Sequence, residues 1–293
     1  MKIGVIGRGF VGGSIEKLIN SKSGYEVLSY DLKDDADMNI RFDRIVRECD
    51  FIYLCVPTPM DSDGECYTGI VRSCLKLLSY YSEKRKRETV VLIKSTMVPS
   101  TSDSLIKDFP DLCIITNPEF LTERRAYQDL CESKQHVLGV PSFIDANVYQ
   151  SLRKFHTEIW PDARLVFVSN IEAELIKYMT NSYYSFKVVF ANHIYQLCQR
   201  IGVNYGGFIE SAKLADPRLG PTHWSVPGPD GSLGFGGKCF PKDFNGMIKL
   251  FEKNGVDCEV LQRAWDYNVS IREDHDWNRI EGAVKCEDQS RQS

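Results

Sequence analysis

Seven short, mostly apolar runs punctuate the first part of the chain, at 2–6, 27–30, 51–55, 90–93, 112–115, 136–140 and 165–168. They are rich in β-branched and aromatic side chains, and such unalternating runs suit strands covered on both faces. Most of the stretches between them are amphipathic at helical spacing. Strands alternating with helices predict an α/β domain with a doubly wound parallel sheet, its edge extended by the last two runs.

After residue 168 the pattern changes. Ser169 and Glu172 fit a capping box, which opens a helix. Apolar residues recur at Ile171, Leu175, Tyr178, Met179, Phe186, Val189, Phe190, Ile194, Leu197 and Ile201, until Gly202 stops the helix. Such a helix is about 45 Å long at 1.5 Å per residue. It carries more apolar positions than one thin domain covers, which predicts a homodimer or larger assembly through it. Residues 216–241 are dense in Gly and Pro and predict a long ordered loop, usually a functional feature. Residues 243–254 and 256–271 read as helices, and disorder is expected over the last dozen residues. The expected domains are 1–168, a Rossmann unit, and 169–293, an all-helical unit.

Composition narrows the function. A net charge of −4 with acids and bases intermixed lacks the basic field of a nucleic-acid or membrane-surface binder. No apolar stretch approaches the roughly 20 residues of a membrane span. The N-terminal run is cut by Gly7, Arg8 and Gly9 with no cleavage site following, so a cytoplasmic location is expected. There are ten cysteines and no C-x-x-C pair. Cys55, Cys113 and Cys198 sit in apolar runs and read as small buried hydrophobes in a reducing compartment, whereas Cys239 does not. The five histidines lack metal-ligand spacing, and no metal is expected.

Gly7-Arg8-Gly9-Phe10-Val11-Gly12 is G-x-G-x-x-G directly after the first run. Asp31 follows the second, at the spacing of an acid that accepts a ribose 2′-OH and repels a 2′-phosphate, so NAD is expected over NADP. Pro57-Thr58-Pro59 and Lys94-Ser95-Thr96 end later strands, either as ligand contacts at the carboxyl edge or as turn chemistry alone. In Asn117-Pro118-Glu119-Phe120-Leu121-Thr122-Glu123, Asn117 reads as a helix cap with Pro118 in the first turn. Glu119 and Glu123 then share a helix face, either for acid–base work or to complement the helix dipole. Lys177 and Asn181 share a face of the long helix, either to hold an oxyanion or as a solvated stripe. Cys239 follows a glycine-rich loop and precedes a helix, next to Lys238 and Lys242. Backbone N–H groups and ammonium charge there favour a thiolate nucleophile.

These segments, in this order, resemble the UDP-glucose/GDP-mannose dehydrogenase family from residue 1 to about 271, and Phe240-Pro241-Lys242-Asp243 points to its UDP-glucose branch. The resemblance implies Cys239 as nucleophile, with Asp243 and Lys177 assisting proton transfer and charge. Glu123 and Thr96 would handle the hydrolytic water, and Asn181 would hold an oxygen. Glu119, Phe120, Leu121, Phe235, Gly236 and Gly237 would meet the substrate. Arg218 would reach the sugar, often from a neighbouring subunit in that family. NAD would be held by Gly7, Gly9, Phe10, Val11, Gly12 and Asp31, with Val56, Pro57, Thr58, Ser95, Thr96, Glu123 and Lys242. The implied activity is four-electron oxidation of a nucleotide sugar, with a role in polysaccharide biosynthesis. The alternatives are a two-electron hydroxyacid dehydrogenase and a non-catalytic cofactor-binding or dimerisation module. Members usually carry a third domain that grips the nucleotide, and the chain stops at Ser293 without it. Arg124-Arg125 stands where the family commonly has a loop containing glycine.

Overall fold

All seven apolar runs form strands: β1 (Lys2–Ile6), β2 (Glu26–Tyr30), β3 (Phe51–Leu54), β4 (Thr89–Ile93), β5 (Leu112–Thr116), β6 (Gln135–Val140) and β7 (Arg164–Ser169). The computed structural model describes residues 1–35, 37–83 and 88–285. The strands make one sheet in the order β2-β1-β3-β4-β5-β6-β7. Burial on both faces explains the continuous apolar runs. One face carries Ile6, Ile52, Leu54, Val91 and Ile93 against α2 (Met38–Glu48), α3 (Gly69–Ser82) and α4 (Thr101–Asp108). The other carries Ile3, Val5, Tyr53, Val90 and Leu92 against α1 (Phe10–Asn20) and α6 (Ala146–Ile159).

The sheet is not wholly parallel. β5 and β6 pair antiparallel through Thr116 and Gly139, and β7 runs parallel to β6. The helix between β5 and β6, α5 (Ala126–Cys131), has six residues. At 1.5 Å per residue it advances the chain only about 9 Å, too little to carry it back along β5 as a crossover does.

β6 and α6 bury two histidines that the pattern did not single out. His136 packs tilted against Trp160 at 4.2 Å between ring centroids and lies 5.8 Å from the His156 ring. His156 Nδ1 donates to Leu152 O at 2.9 Å, which leaves Nε2 to accept from the Tyr53 hydroxyl at 3.4 Å. Among the described residues His136 Nε2 has no hydrogen-bond partner. Burial, with the nearby Lys94 charge, pushes His136 down to about 2 and His156 to about 4. The unfolded chain takes up these protons near pH 6.5 and the folded chain refuses them. Stability therefore falls as pH drops below about 6.5, by up to ~1.4 kcal/mol per pH unit for each histidine. The effect of His156 ends near pH 4 and that of His136 near pH 2. His136→Phe keeps a ring on Trp160 and removes one such group. Urea unfolding should show the variant losing about 2 kcal/mol less than wild type between pH 7 and 5, and equal acid sensitivity would refute the assignment.

The chain divides into two compact units: Met1–Thr58 with Tyr67–Lys177, and Pro59–Cys66 with Tyr178–Ser293. The division falls inside the long helix α7 (Asn170–Ile201), nine residues past the end of the expected first domain at 168. The capping box forms: Ser169 Oγ donates to Glu172 Oε2 at 2.6 Å and Ser169 N at 2.8 Å. Gly202 at φ +76° ends the helix, with Val203 N donating to Cys198 O at 2.9 Å. The second unit adds α8 (Tyr205–Ala215), α9 (Phe240–Lys253) and α10 (Glu259–Ile271). Its core joins Val189, Phe235, Phe244, Ile248 and Ala264. The disorder expected over the last dozen residues falls largely on 286–293, outside the described residues. Residues 283–285 are instead paired: Met60 N donates to Ala283 O and Lys285 N to Met60 O, both at 2.8 Å. Among the described residues no helix is long and apolar enough to cross a membrane.

Candidate functional site

Strand order reverses at β1, between β2 and β3, where open α/β sheets take ligands at the carboxyl edge. The fingerprint glycines there have separable roles. Gly7 adopts φ +87°, and a Cβ on it would lie 2.7 Å from Cys55 O. A Cβ on Gly12 would lie 1.9 Å from Gly7 O. The fold itself therefore requires both. Gly9 is different, because a Cβ there meets nothing within 4 Å. It caps α1 without a side chain, leaving the first-turn N–H groups open to an anion such as a pyrophosphate. Phe10 and Val11 are half-buried behind it.

Asp31 Oδ2 accepts from Arg8 N at 2.6 Å and Oδ1 from Lys33 N at 3.1 Å. Partial burial works against its charge, but these N–H groups and the Arg8 and Lys33 cations hold its pKa below the usual range. An ionised carboxylate beside the fingerprint accepts ribose hydroxyls and repels a phosphate. Ser95 Oγ donates to Val56 O at 2.6 Å and ties together the loops after β4 and β3. Pro57 is exposed, Thr58 buried and Thr96 half-buried.

The helix expected from Asn117 does not form. Asn117 is buried, and its Nδ2 donates to Val137 O at 2.7 Å, so its side chain is used in the sheet rather than as a cap. Glu119 Oε2 accepts from Leu121 N at 2.6 Å, and helical structure begins only with a 3-10 turn at Glu123–Arg125. Glu119 is buried whereas Glu123, Arg124 and Arg125 are exposed, so the two glutamates share no helix face. Glu119 is joined instead by Lys177, whose Nζ donates to Glu119 O at 2.5 Å and to Oε1 at 3.1 Å. Lys177 also lies 5.3 Å from the centroid of the Phe120 ring. Lys177 and Asn181 are both buried, which removes the solvated-stripe reading.

In the second unit α9 begins at Phe240, three residues earlier than expected, because Pro241 is tolerated in a first turn. Cys239 is thereby the N-cap, half-buried, and its carbonyl accepts from Asp243 N at 2.9 Å. Asp243 is fully buried one turn on. Its Oδ2 accepts from Asn181 Nδ2 at 2.5 Å, and Lys242 Nζ donates to Oδ1. Burial alone would lower the pKa of Lys242, but Asp243, with Cys66 and Cys239, raises it. The Lys242 ammonium is thus directed to Asp243.

The loop before Cys239 is tethered by residues that sequence reasoning missed. Gly234 N donates to Asn192 Oδ1 at 3.2 Å, Phe235 N to Asn268 Oδ1 at 2.7 Å, and Gly237 N to both Asp276 oxygens at 3.1 Å. A Cβ on Gly236 would lie 2.2 Å from the Arg272 guanidinium, which pairs with Asp230 and Asp276. The i, i+4 pair Arg272/Asp276 was the available signal for this tether. Arg218 is exposed and paired with Asp216 at 2.7 Å. The remaining cysteines are not uniformly packed, since Cys131 is exposed and Cys66 and Cys258 half-buried. Burial pushes Cys55 and Cys113 up to about 12. A cavity of about 740 Å³ near the end of α7 is lined by Cys198, Tyr205 and Trp224, and none of the candidate residues lines it.

UDP-glucose 6-dehydrogenase AglM of Haloferax volcanii is 28% identical over 308 residues, covering 92% of this chain and 69% of that protein. UDP-glucose 6-dehydrogenase of Rickettsia prowazekii is 32% identical over 222 residues, covering 74% of this chain and 48% of that protein. The chain thus spans about half to two thirds of the length of these curated relatives. The structure of a UDP-glucose dehydrogenase from Pyrobaculum islandicum matches with a TM-score of 0.78 at 23% identity, over 92% of this chain and 68% of that one. That likeness concerns the fold. Residues 33–157 match the NAD-binding domain and residues 171–270 the central domain of the UDP-glucose/GDP-mannose dehydrogenase family, and the chain belongs to that family.

Proposed function

We propose that the chain oxidises a nucleotide sugar, UDP-glucose to UDP-glucuronate, by four electrons with Cys239 as the covalent nucleophile. The observation that carries the reading is a half-buried thiol at the N-cap of α9, one turn from the buried Asp243–Asn181–Lys242 cluster. Gly9 leaves the space that a dinucleotide needs, and Asp31 supplies its ribose acceptor. NAD, when bound, takes the hydride lost by the sugar carbon at each oxidation.

The first oxidation turns the primary alcohol into an aldehyde and frees a proton. The Cys239 thiolate adds to the aldehyde carbon, and the Lys177 ammonium and Asn181 amide stabilise the alkoxide that forms. The second oxidation leaves a thioester. Water adds to its carbonyl, the thiolate departs, and the acid is released. Thr96, Glu119 and Glu123 are assigned to that water and to the substrate, and Asp243 to the proton traffic of the thiol.

The test is a screen of nucleotide sugars with NAD or NADP, scored as reduced cofactor per substrate. The expected outcome is two NADH per UDP-glucose, with NADP used poorly. One NADH per substrate would favour the two-electron hydroxyacid dehydrogenase, and none with any sugar a non-catalytic module.

Leu175, Met179, Tyr183, Phe186, Phe190, Leu197 and Ile201 remain exposed at helical spacing along α7. We propose that a second copy of the chain covers this stripe. Sedimentation at micromolar concentration should give a dimer, and Met179→Lys with Phe190→Lys a monomer; a monomeric wild type would dismiss the idea.

A further inference from the structure

Asn170, Ala173, Glu174 and Lys177 recur at the spacing of one helix face, in the part of α7 that belongs to the first unit. All four are buried. β5 meets β6 at the pair Thr116–Gly139 alone, so β5 has backbone groups to spare on that edge. The Asn170 side chain takes them. Its Oδ1 accepts from Thr116 N at 2.8 Å and its Nδ2 donates to Ile114 O at 3.3 Å, as the peptide of a neighbouring strand would. Gly139 lets the helix lie this close, because a Cβ there would stand 2.6 Å from the Ala173 Cβ and 2.9 Å from the Asn170 Cα.

Glu174 ties the same face to α4. Its Oε2 accepts from Ser100 N at 2.8 Å, and its Oε1 from Ser102 N at 2.8 Å and Ser102 Oγ at 2.6 Å. Ser100 is the N-cap of α4, at φ +78°, and makes no side-chain cap bond, so a carboxyl from another helix does the capping. Thr116 Oγ1 lies 2.7 Å from Ser102 Oγ and completes the cluster. Burial, with Asp103 of α4 acting the same way, raises Glu174 to about 7 against the Ser102 and Ser100 donors. A proton on Oε1 would be donated to Ser102 Oγ, whose own hydrogen turns to Thr116 Oγ1, so the cluster stays bonded in either state.

A helix is fixed in height and rotation only when it is held on more than one side. Asn170 on β5 and Glu174 on α4 supply two such holds, and Lys177 is the next residue of that face. We propose that Glu174 is a positioning residue: it sets the rotation of α7 that brings the Lys177 ammonium to Glu119, and through Lys177 it governs the oxidation proposed above, on which this assignment rests. At 2% exposure the carboxyl acts through its neighbours and on no reacting atom.

A double-mutant cycle on the full chain, with UDP-glucose and NAD, tests this. Glu174→Gln keeps the shape but turns an amide NH2 toward Ser100 N or Ser102 N. Turnover per folded site should fall about 10–10²-fold at unchanged KM, as for a displaced group that acts only in the transition state. In a Lys177→Met background the same substitution should cost no further turnover, while its effect on melting temperature persists. Ser102→Ala removes one of the donors and should repeat the pattern by a smaller factor, and it decides alone if the Gln variant fails to fold. Equal falls in turnover in the two backgrounds, or wild-type turnover in the deciding variant, make Glu174 a cap of α4 only and leave the oxidation standing. No NADH from any nucleotide sugar with folded wild type overturns both.

Discussion

Cys239→Ser should lower steady-state turnover at least ~10³-fold while leaving NAD affinity unchanged. A serine hydroxyl is far less acidic than a thiol, so capture of the aldehyde slows most. The first oxidation does not use the sulfur, and rapid mixing should still show up to one NADH per site before the reaction stalls. The variant should fold normally. The loop is held through the backbone N–H groups of Gly234, Phe235 and Gly237. Two NADH per substrate at the wild-type rate would remove Cys239 from the chemistry.

Lys177→Met should act on both activity and stability. The ammonium donates to Glu119 O and Oε1 in a buried place. Removing one partner of a buried ion pair costs about 3–5 kcal/mol, and the Lys94 charge near Glu119 keeps the loss toward the lower end. Turnover should fall by about 10²–10³, the usual effect of deleting one oxyanion donor. Adding Glu119→Gln removes the orphaned charge, so the double variant should regain most of the melting temperature and none of the rate. Recovery of rate along with stability would make Lys177 a structural residue.

The strands were legible because burial on both faces writes itself as unbroken apolar runs, and the long helix because its box and its terminal glycine are local signals. The region after β5 was not legible. Asn117-Pro118 carries a helix-start signature, but the Asn117 side chain is taken by Val137 O, twenty residues away. A distant strand thus overrides a local preference, and Glu119 ends up with Lys177 instead of Glu123. The antiparallel turn of β6 depends on the length of α5, which periodicity does not register. In the cysteine loop the nucleophile candidate stood out by its neighbours. Its supports Asn192, Asn268 and Asp276 lie 42, 33 and 39 residues from the backbone groups they hold, too far for a spacing rule.

The strip Pro59–Cys66 is counted with the second unit although it leaves β3 and returns to α3. Its Met60 joins the backbone of Ala283 and Lys285, and Asp61 pairs with Lys285 across 224 positions. A ribosome makes Asp61 224 positions before its partner Lys285. Until residue 284 is made, Met60 has no strand neighbour there to bridge. Closing so long a loop is slow, and local elements form before it. The strip therefore closes after the local elements between its two ends. A chain arrested before residue 283 would carry a finished sheet with this one connection still open, a natural foothold for chaperones and proteases that inspect newly made proteins.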